Sequence, residues 1–227
     1  MCFAYAGGSA WIYRPWAQQL PDTVEVCAIE LPGRGKRMAE APLQTVTAII
    51  ETLGPELLPY LNLPFACFGH SLGALIAFEL CCWLRRTVQL TPVHLWVSAA
   101  QAPQLPAEKA PIHTLADPDF INELKRYKGT PESILNNAEM MALVLPILRA
   151  DFTVLETYQH QPGAPLSCPI TGFWGQQDTI VNQAQVAAWN IHSQKFSLQA
   201  IDGDHFFLQQ SSFLTHLLPV LPNRLVP

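Results

Sequence analysis

The feature that most constrains this chain is Gly69-His70-Ser71-Leu72-Gly73, set between an apolar run, Leu63 to Phe68, and a helical segment, Ala74 to Leu84. A G-x-S-x-G stretch at a strand-to-helix junction predicts a sharp turn that lifts a serine hydroxyl above a sheet. Glycine at the two outer positions leaves room for that turn. The helix that follows aims free backbone N–H groups at the place where negative charge would develop. Ser71 as a plain helix N-cap, glycines that only pack a helix onto a strand, and a degenerate elbow are the competing readings. Two later segments favour the nucleophile.

The first is Pro169 to Trp174, which reads as a buried strand, followed by the turn Gly175-Gln176-Gln177-Asp178. The second is Lys195 to Ile201, also strand-like, followed by Gly203-Asp204-His205-Phe206-Phe207. Ser71, Asp178 and His205 then occur in the chain order of α/β-hydrolase triads. A serine hydroxyl needs a base, which His205 would be, and Asp178 would hold the imidazole tautomer. Asp202 and Asp204 are rival acids but read as turn formers, and Asp151 lies within a helical stretch. An acid after the preceding strand, His94 to Ser98, is disfavoured, because Ala99 to Ala107 contains none.

The opening Cys2-Phe3-Ala4-Tyr5-Ala6-Gly7-Gly8 runs a strand into a Gly-Gly turn. It reads either as an ordinary Gly-Gly turn or as the second half of an oxyanion hole, and the elbow favours the latter, with the backbone N–H of Ala6 (Tyr5 as neighbour) expected to join that of Leu72. Tyr5, His70, Met141 and Phe206 are the candidate substrate-binding residues.

Strands at Cys2–Tyr5, Val24–Ile29, Leu63–Phe68, His94–Ser98, Ile170 and Lys195–Ile201 alternate with helical segments near Tyr13–Gln19, Val46–Leu58 and Ala74–Leu84. That alternation predicts an α/β fold with a mostly parallel sheet flanked by helices. About seventy residues separate the His94 and Ile170 strands, too many for one crossover. The helical stretches Leu115–Lys128 and Ser133–Leu148, the latter bent or ended by Pro146, predict a helical lid over 106–149, with the core at 1–105 and 150–227. Met140, Met141, Leu143, Val144 and Leu145 of that lid either line an acyl pocket or pack the lid onto the core.

The chain has 227 residues, 49% hydrophobic and 14% charged, with net charge −5. One sizeable core is expected, and no basic run supports nucleic-acid binding. No apolar run reaches a membrane span, and Met1 leads straight into a strand rather than a signal peptide. Six cysteines without a C-x-x-C pair fit a reduced, cytoplasmic protein. The seven scattered histidines offer no H-x-x-x-H or H-E-x-x-H spacing, so no metal site is expected, and a monomer is the default.

These motifs, together with Leu31-Pro32-Gly33-Arg34-Gly35, resemble the type II thioesterases, free-standing editing hydrolases of nonribosomal peptide and polyketide synthases. The resemblance spans essentially the whole chain. Ala4 departs from it, where the family commonly has proline. Such hydrolase cores usually carry residues before the oxyanion loop, so the chain is either a minimal version or a shortened one. The resemblance implies an acyl thioester on the phosphopantetheine arm of an acyl or peptidyl carrier protein, and no cofactor of the enzyme's own. Arg85-Arg86 and Lys125-Arg126-Lys128 are candidate docking cations, though each also reads as a solvated face. A chain-releasing medium-chain thioesterase, a small-molecule carboxylesterase and a non-catalytic hydrolase-fold scaffold are the alternatives.

Overall fold

A computed structural model describes residues 1–221. Among these, β1 (Cys2–Phe3), β2 (Ala66–His70), β3 (His94–Ser98), β4 (Ile170–Gly175) and β5 (Phe196–Ile201) form a sheet in that order. Every pairing is parallel. The strands alternate their side chains between two apolar layers, as the period of two demands. Cys67, Leu95, Val97 and Ile170 enter one cluster. Ala66, Phe68, Trp96 and Phe173 enter the other.

Helices cover both faces. Beyond α1 (Trp16–Gln19) come α2 (Val46–Leu57) and α3 (Leu72–Val88). The insertion holds α4 (Asp117–Tyr127), α5 (Glu132–Leu135) and α6 (Ala138–Thr157); α7 (Gln183–Ala187) and α8 (Phe213–Leu217) complete the set. Helices α2 and α3 pack on the first layer, whereas α1 and α8 supply Trp16, Phe213, Leu214 and Leu217 to the second. Helix α3 is buried along most of its length, and its small residues Ala74 and Ala77 let it lie close to the strands.

The expected strand at Val24–Ile29 is reduced to one bridge, Cys2 to Ala28. Cys2 N–H donates to Cys27 O at 2.8 Å, and Ile29 N–H to Cys2 O at 2.9 Å. The cause is the shortness of β1, which gives a partner nothing further to pair with. The segment still lies on the opposite side of β1 from β2. The chain thus leaves β1 in one direction and returns on the other, which opens a crevice at the C-terminal strand ends.

The elbow strand starts later than expected, at Ala66, and continues to His70, directly against Ser71. Leu63 is exposed and Pro64 has no N–H for a ladder. The helix expected near Tyr13–Gln19 is split by Pro15 into a 3₁₀ turn, Ala10–Tyr13, and the short α1.

Pro146 does not end its helix: α6 continues to Thr157. Ala142 and Pro146 are both exposed, so the carbonyl left without its donor faces water. The helix begins among Ile112, Phe120, Leu124, Met141, Leu148 and Phe152, a small separate cluster, and ends with Val154 in the main core. Residue 149 marks no break in it.

Candidate active site

Ser71 lies where β2 gives way to α3, at φ 53° and ψ −117°. A non-glycine residue in that region costs about 1–3 kcal/mol and persists only when its surroundings impose it. Here they do. Ser71 N–H donates to Ser98 O at 2.8 Å, extending the β2–β3 ladder past the strand end. A Cβ on Gly69 would lie 2.1 Å from Gly73 O, and one on Gly73 would lie 2.1 Å from Phe3 O. Both glycines are therefore required by close backbone approach.

The parallel pairing of β4 with β5 brings the next two residues together. Beyond the strands, Gln176 N–H donates to Ile201 O at 2.8 Å and Gln177 N–H to Gly203 O at 2.9 Å. A Cβ on Gly175 would lie 2.6 Å from Asp204 O, so glycine lets the two loops nest. His205 Nδ1 then meets Asp178 Oδ2 at 2.8 Å. Asp178 Oδ1 accepts the N–H groups of Ile180 (2.7 Å) and Val181 (3.0 Å), which aims the other oxygen at the imidazole. The Asp178 side chain is fully buried and that of His205 nearly so.

Of the four candidate acids, Asp178 is the one bonded to His205. Asp204 Oδ1 accepts Phe206 N–H at 2.9 Å, a turn-forming contact, as its position predicts. No hydrogen bond joins Ser71 Oγ to His205 among the described residues; both line one cavity of about 300 Å³. Catalytic contacts are commonly loose before substrate binds.

Ala6 lines that cavity, and its N–H has no partner among the described residues. Leu72 is the first residue of α3, so its N–H has no helical acceptor. Tyr5 and Phe206 also line the cavity, with ring centroids 5.0 Å apart. Leu75, Leu124, Leu148, Phe152, Leu155 and Val181 make much of the remaining wall apolar.

His70 and Met141, expected to bind substrate, do not line it. Met141 packs in the insertion cluster, because its position on α6 faces α4 and the chain before it. His70 is fully buried behind the site. Its Nε2 lies 2.8 Å from His205 O and its Nδ1 2.9 Å from Ser98 Oγ. Burial first, then the proximity of His205, drives its pKa well below the ordinary value. The neutral ring therefore donates from Nε2 to the His205 carbonyl and accepts from Ser98 at Nδ1. Its effect is to hold the main chain of the His205 loop.

Sequence reading also passes over a pair that holds the loop after β1. Asp151 of α6 binds Arg34 through two hydrogen bonds, 2.7 and 2.8 Å, and accepts Gly7 N–H at 2.7 Å. The available signal was one acid at helical spacing from Ile147, Leu148 and Val154, on the apolar face of its helix, since buried carboxylates need partners. Among the described residues, no group of three or more His, Cys, Asp or Glu could hold a metal ion. No described helix is long and apolar enough to cross a membrane.

A family profile described as Thioesterase domain matches residues 1–224. The gramicidin S biosynthesis protein GrsT of Aneurinibacillus migulanus is 46% identical over 93% of this chain and 83% of its own length. A protein named linear gramicidin dehydrogenase LgrE, from Brevibacillus parabrevis, is 42% identical over 99% of this chain and 88% of its own. Among solved structures, YbtT, a type II thioesterase from a yersiniabactin NRPS/PKS biosynthetic pathway, superposes with a TM-score of 0.86 at 35% identity. That match covers 99% of this chain and 92% of YbtT. A family profile spanning nearly every residue and the same architecture in a solved relative agree, and the chain belongs to the thioesterase family.

Proposed function

We propose that the protein is a free-standing type II thioesterase that hydrolyses acyl thioesters from the phosphopantetheine arm of carrier proteins and clears aberrant acyl groups from a nonribosomal peptide or polyketide synthase. The observation that carries the chemistry is the Asp178–His205 pair opening, with Ser71, onto one largely apolar cavity. The names of GrsT and YbtT support the pathway.

In this mechanism His205 Nε2 takes the Ser71 proton as Oγ attacks the thioester carbonyl. The N–H groups of Ala6 and Leu72 stabilise the tetrahedral oxyanion. Its collapse expels the phosphopantetheine sulfur, a good leaving group whose thiol pKa is roughly 8.5, and that sulfur takes the proton from the His205 imidazolium, which frees the ring to act as base again. His205 then activates water against the acyl-Ser71 ester, and the free acid departs. Asp178 keeps Nδ1 protonated, so that Nε2 is the basic nitrogen. The insertion acts as a lid over an acyl pocket, and the enzyme supplies no cofactor. Its six thiols are unpaired, which supports a reducing, cytoplasmic setting.

The test is mass spectrometry of acetyl-, medium-chain- and aminoacyl-loaded carrier proteins incubated with the wild-type protein and with Ser71→Ala. Serine-dependent release of short acyl groups is expected. Cleavage of simple esters alone indicates a carboxylesterase.

A further inference from the structure

We infer that Asp151 is a positioning residue that sets the oxyanion loop, and that it couples this loop to the insertion helix α6. The inference rests on the acyl-transfer reading above.

The loop has three anchors. Gly8 N–H donates to Tyr5 O at 2.8 Å. The N–H of Ala6 belongs to the same peptide plane as that carbonyl, and in a trans peptide the two point in opposite directions. Tying Tyr5 O inward therefore turns Ala6 N–H the other way. The next peptide is held by Gly7 N–H on Asp151 Oδ2 at 2.7 Å, and Gly8 O accepts from Arg34 Nη1 at 3.3 Å. Gly7 has φ +76°, and a Cβ there would lie 2.5 Å from Leu148 Cδ2. Leu148 is one turn before Asp151, so α6 meets the loop through both residues.

The pair is poorly suited to stability alone. Both side chains are almost wholly buried, and Arg34 Nε has no partner among the described residues. Buried ion pairs are often replaceable by apolar residues without loss of stability. What an apolar pair cannot do is accept Gly7 N–H and donate to Gly8 O. Because Asp151 rides on α6, displacement of that helix carries the Ala6 donor with it, and about 1 Å of misplacement at a reacting centre costs about a hundredfold in rate.

The test uses the full chain, acyl-carrier hydrolysis and two inhibitors: phenylboronic acid, which forms a tetrahedral adduct with an active serine, and benzoate, which does not. Asp151→Asn is expected to lower kcat about 10- to 100-fold with KM little changed, and to weaken phenylboronic acid by the same factor while sparing benzoate. The double variant Arg34→Met/Asp151→Leu separates position from stability. It is expected to fold cooperatively, with a melting temperature lowered by no more than the orphaned Gly7 N–H and Gly8 O cost, about 1–3 kcal/mol each, and to show the same selective losses. Wild-type kcat and boronate affinity in a folded variant overturn the inference, as does a loss confined to KM. If the boronate fails on the wild-type enzyme itself, the parent acyl-transfer reading fails, and this inference with it.

Discussion

Asp178→Asn separates geometry from proton chemistry in this site. Asp178 makes three contacts, with Oδ1 taking two backbone N–H groups and Oδ2 taking His205 Nδ1. An asparagine has one acceptor end and one donor end. Placing the NH₂ against Ile180 and Val181 leaves two buried N–H groups unpaired, at about 1–3 kcal/mol each. The amide oxygen therefore stays on the backbone, and the NH₂ faces His205. It donates to Nδ1, which must then be unprotonated, and the ring proton moves to Nε2. The imidazole keeps its place and loses its ability to take the Ser71 proton. The triad template puts this loss at about 10⁴ in kcat, or about 5.5 kcal/mol of barrier. Hydrolysis of an acyl-carrier thioester, followed by thiol release, reads the rate, and thermal melting reports the fold. The expected result is a melting temperature near wild type with kcat down by about four orders of magnitude. A folded variant within tenfold of the wild-type rate refutes the tautomer argument and removes Asp178 from the mechanism.

Gly73→Ala is expected to destabilise by more than about 3 kcal/mol in chemical denaturation, since its Cβ meets main-chain atoms of Phe3 and Ala4 that cannot rotate away; an unchanged midpoint refutes the close-approach argument. Burial holds His94 and His192 at about 4 in the folded protein, below the usual value of roughly 6.5. The unfolded chain therefore binds protons that the folded one does not, so stability is complete above pH of about 6.5 and falls as pH drops toward 4. Melting temperature against pH should show this loss, with a smaller loss in His94→Gln; the same slope in both proteins counts against it. Leu75→Phe, which narrows the cavity, should depress medium-chain hydrolysis at least about tenfold more than acetyl hydrolysis. An unaltered chain-length profile places the acyl group elsewhere.

The strand-to-helix switch around Gly69 to Gly73 announces the elbow because the conformation is local. Two glycines and a following apolar helix suffice to specify it, and the structure adds only the atoms that each missing Cβ would strike. The order of Ser71, Asp178 and His205, the parallel sheet and most helix positions are legible for the same reason: they rest on periodicity and turn chemistry along the chain. The segment at Val24–Ile29 has a strand's composition, but pairing depends on the length of its neighbour, and β1 provides two residues.

Tertiary structure alone decided which side chains meet across long loops. Turn chemistry along the chain favours Asp178 over Asp204, but the contact with His205 is made by the nesting of two loops at Gly175. Met141 and Phe206 both read as pocket residues, and the direction each faces assigns Met141 to the insertion cluster and Phe206 to the cavity. His70, inside the elbow motif, turns out to hold a carbonyl of the His205 loop. Asp151 is separated from Gly7 by 144 residues, and no local rule links them. The sequence determines conformation where short-range sterics and hydrogen bonding act. Partnership between distant residues is set by how the sheet stacks its loops at one edge, and it is there that the proposed chemistry resides.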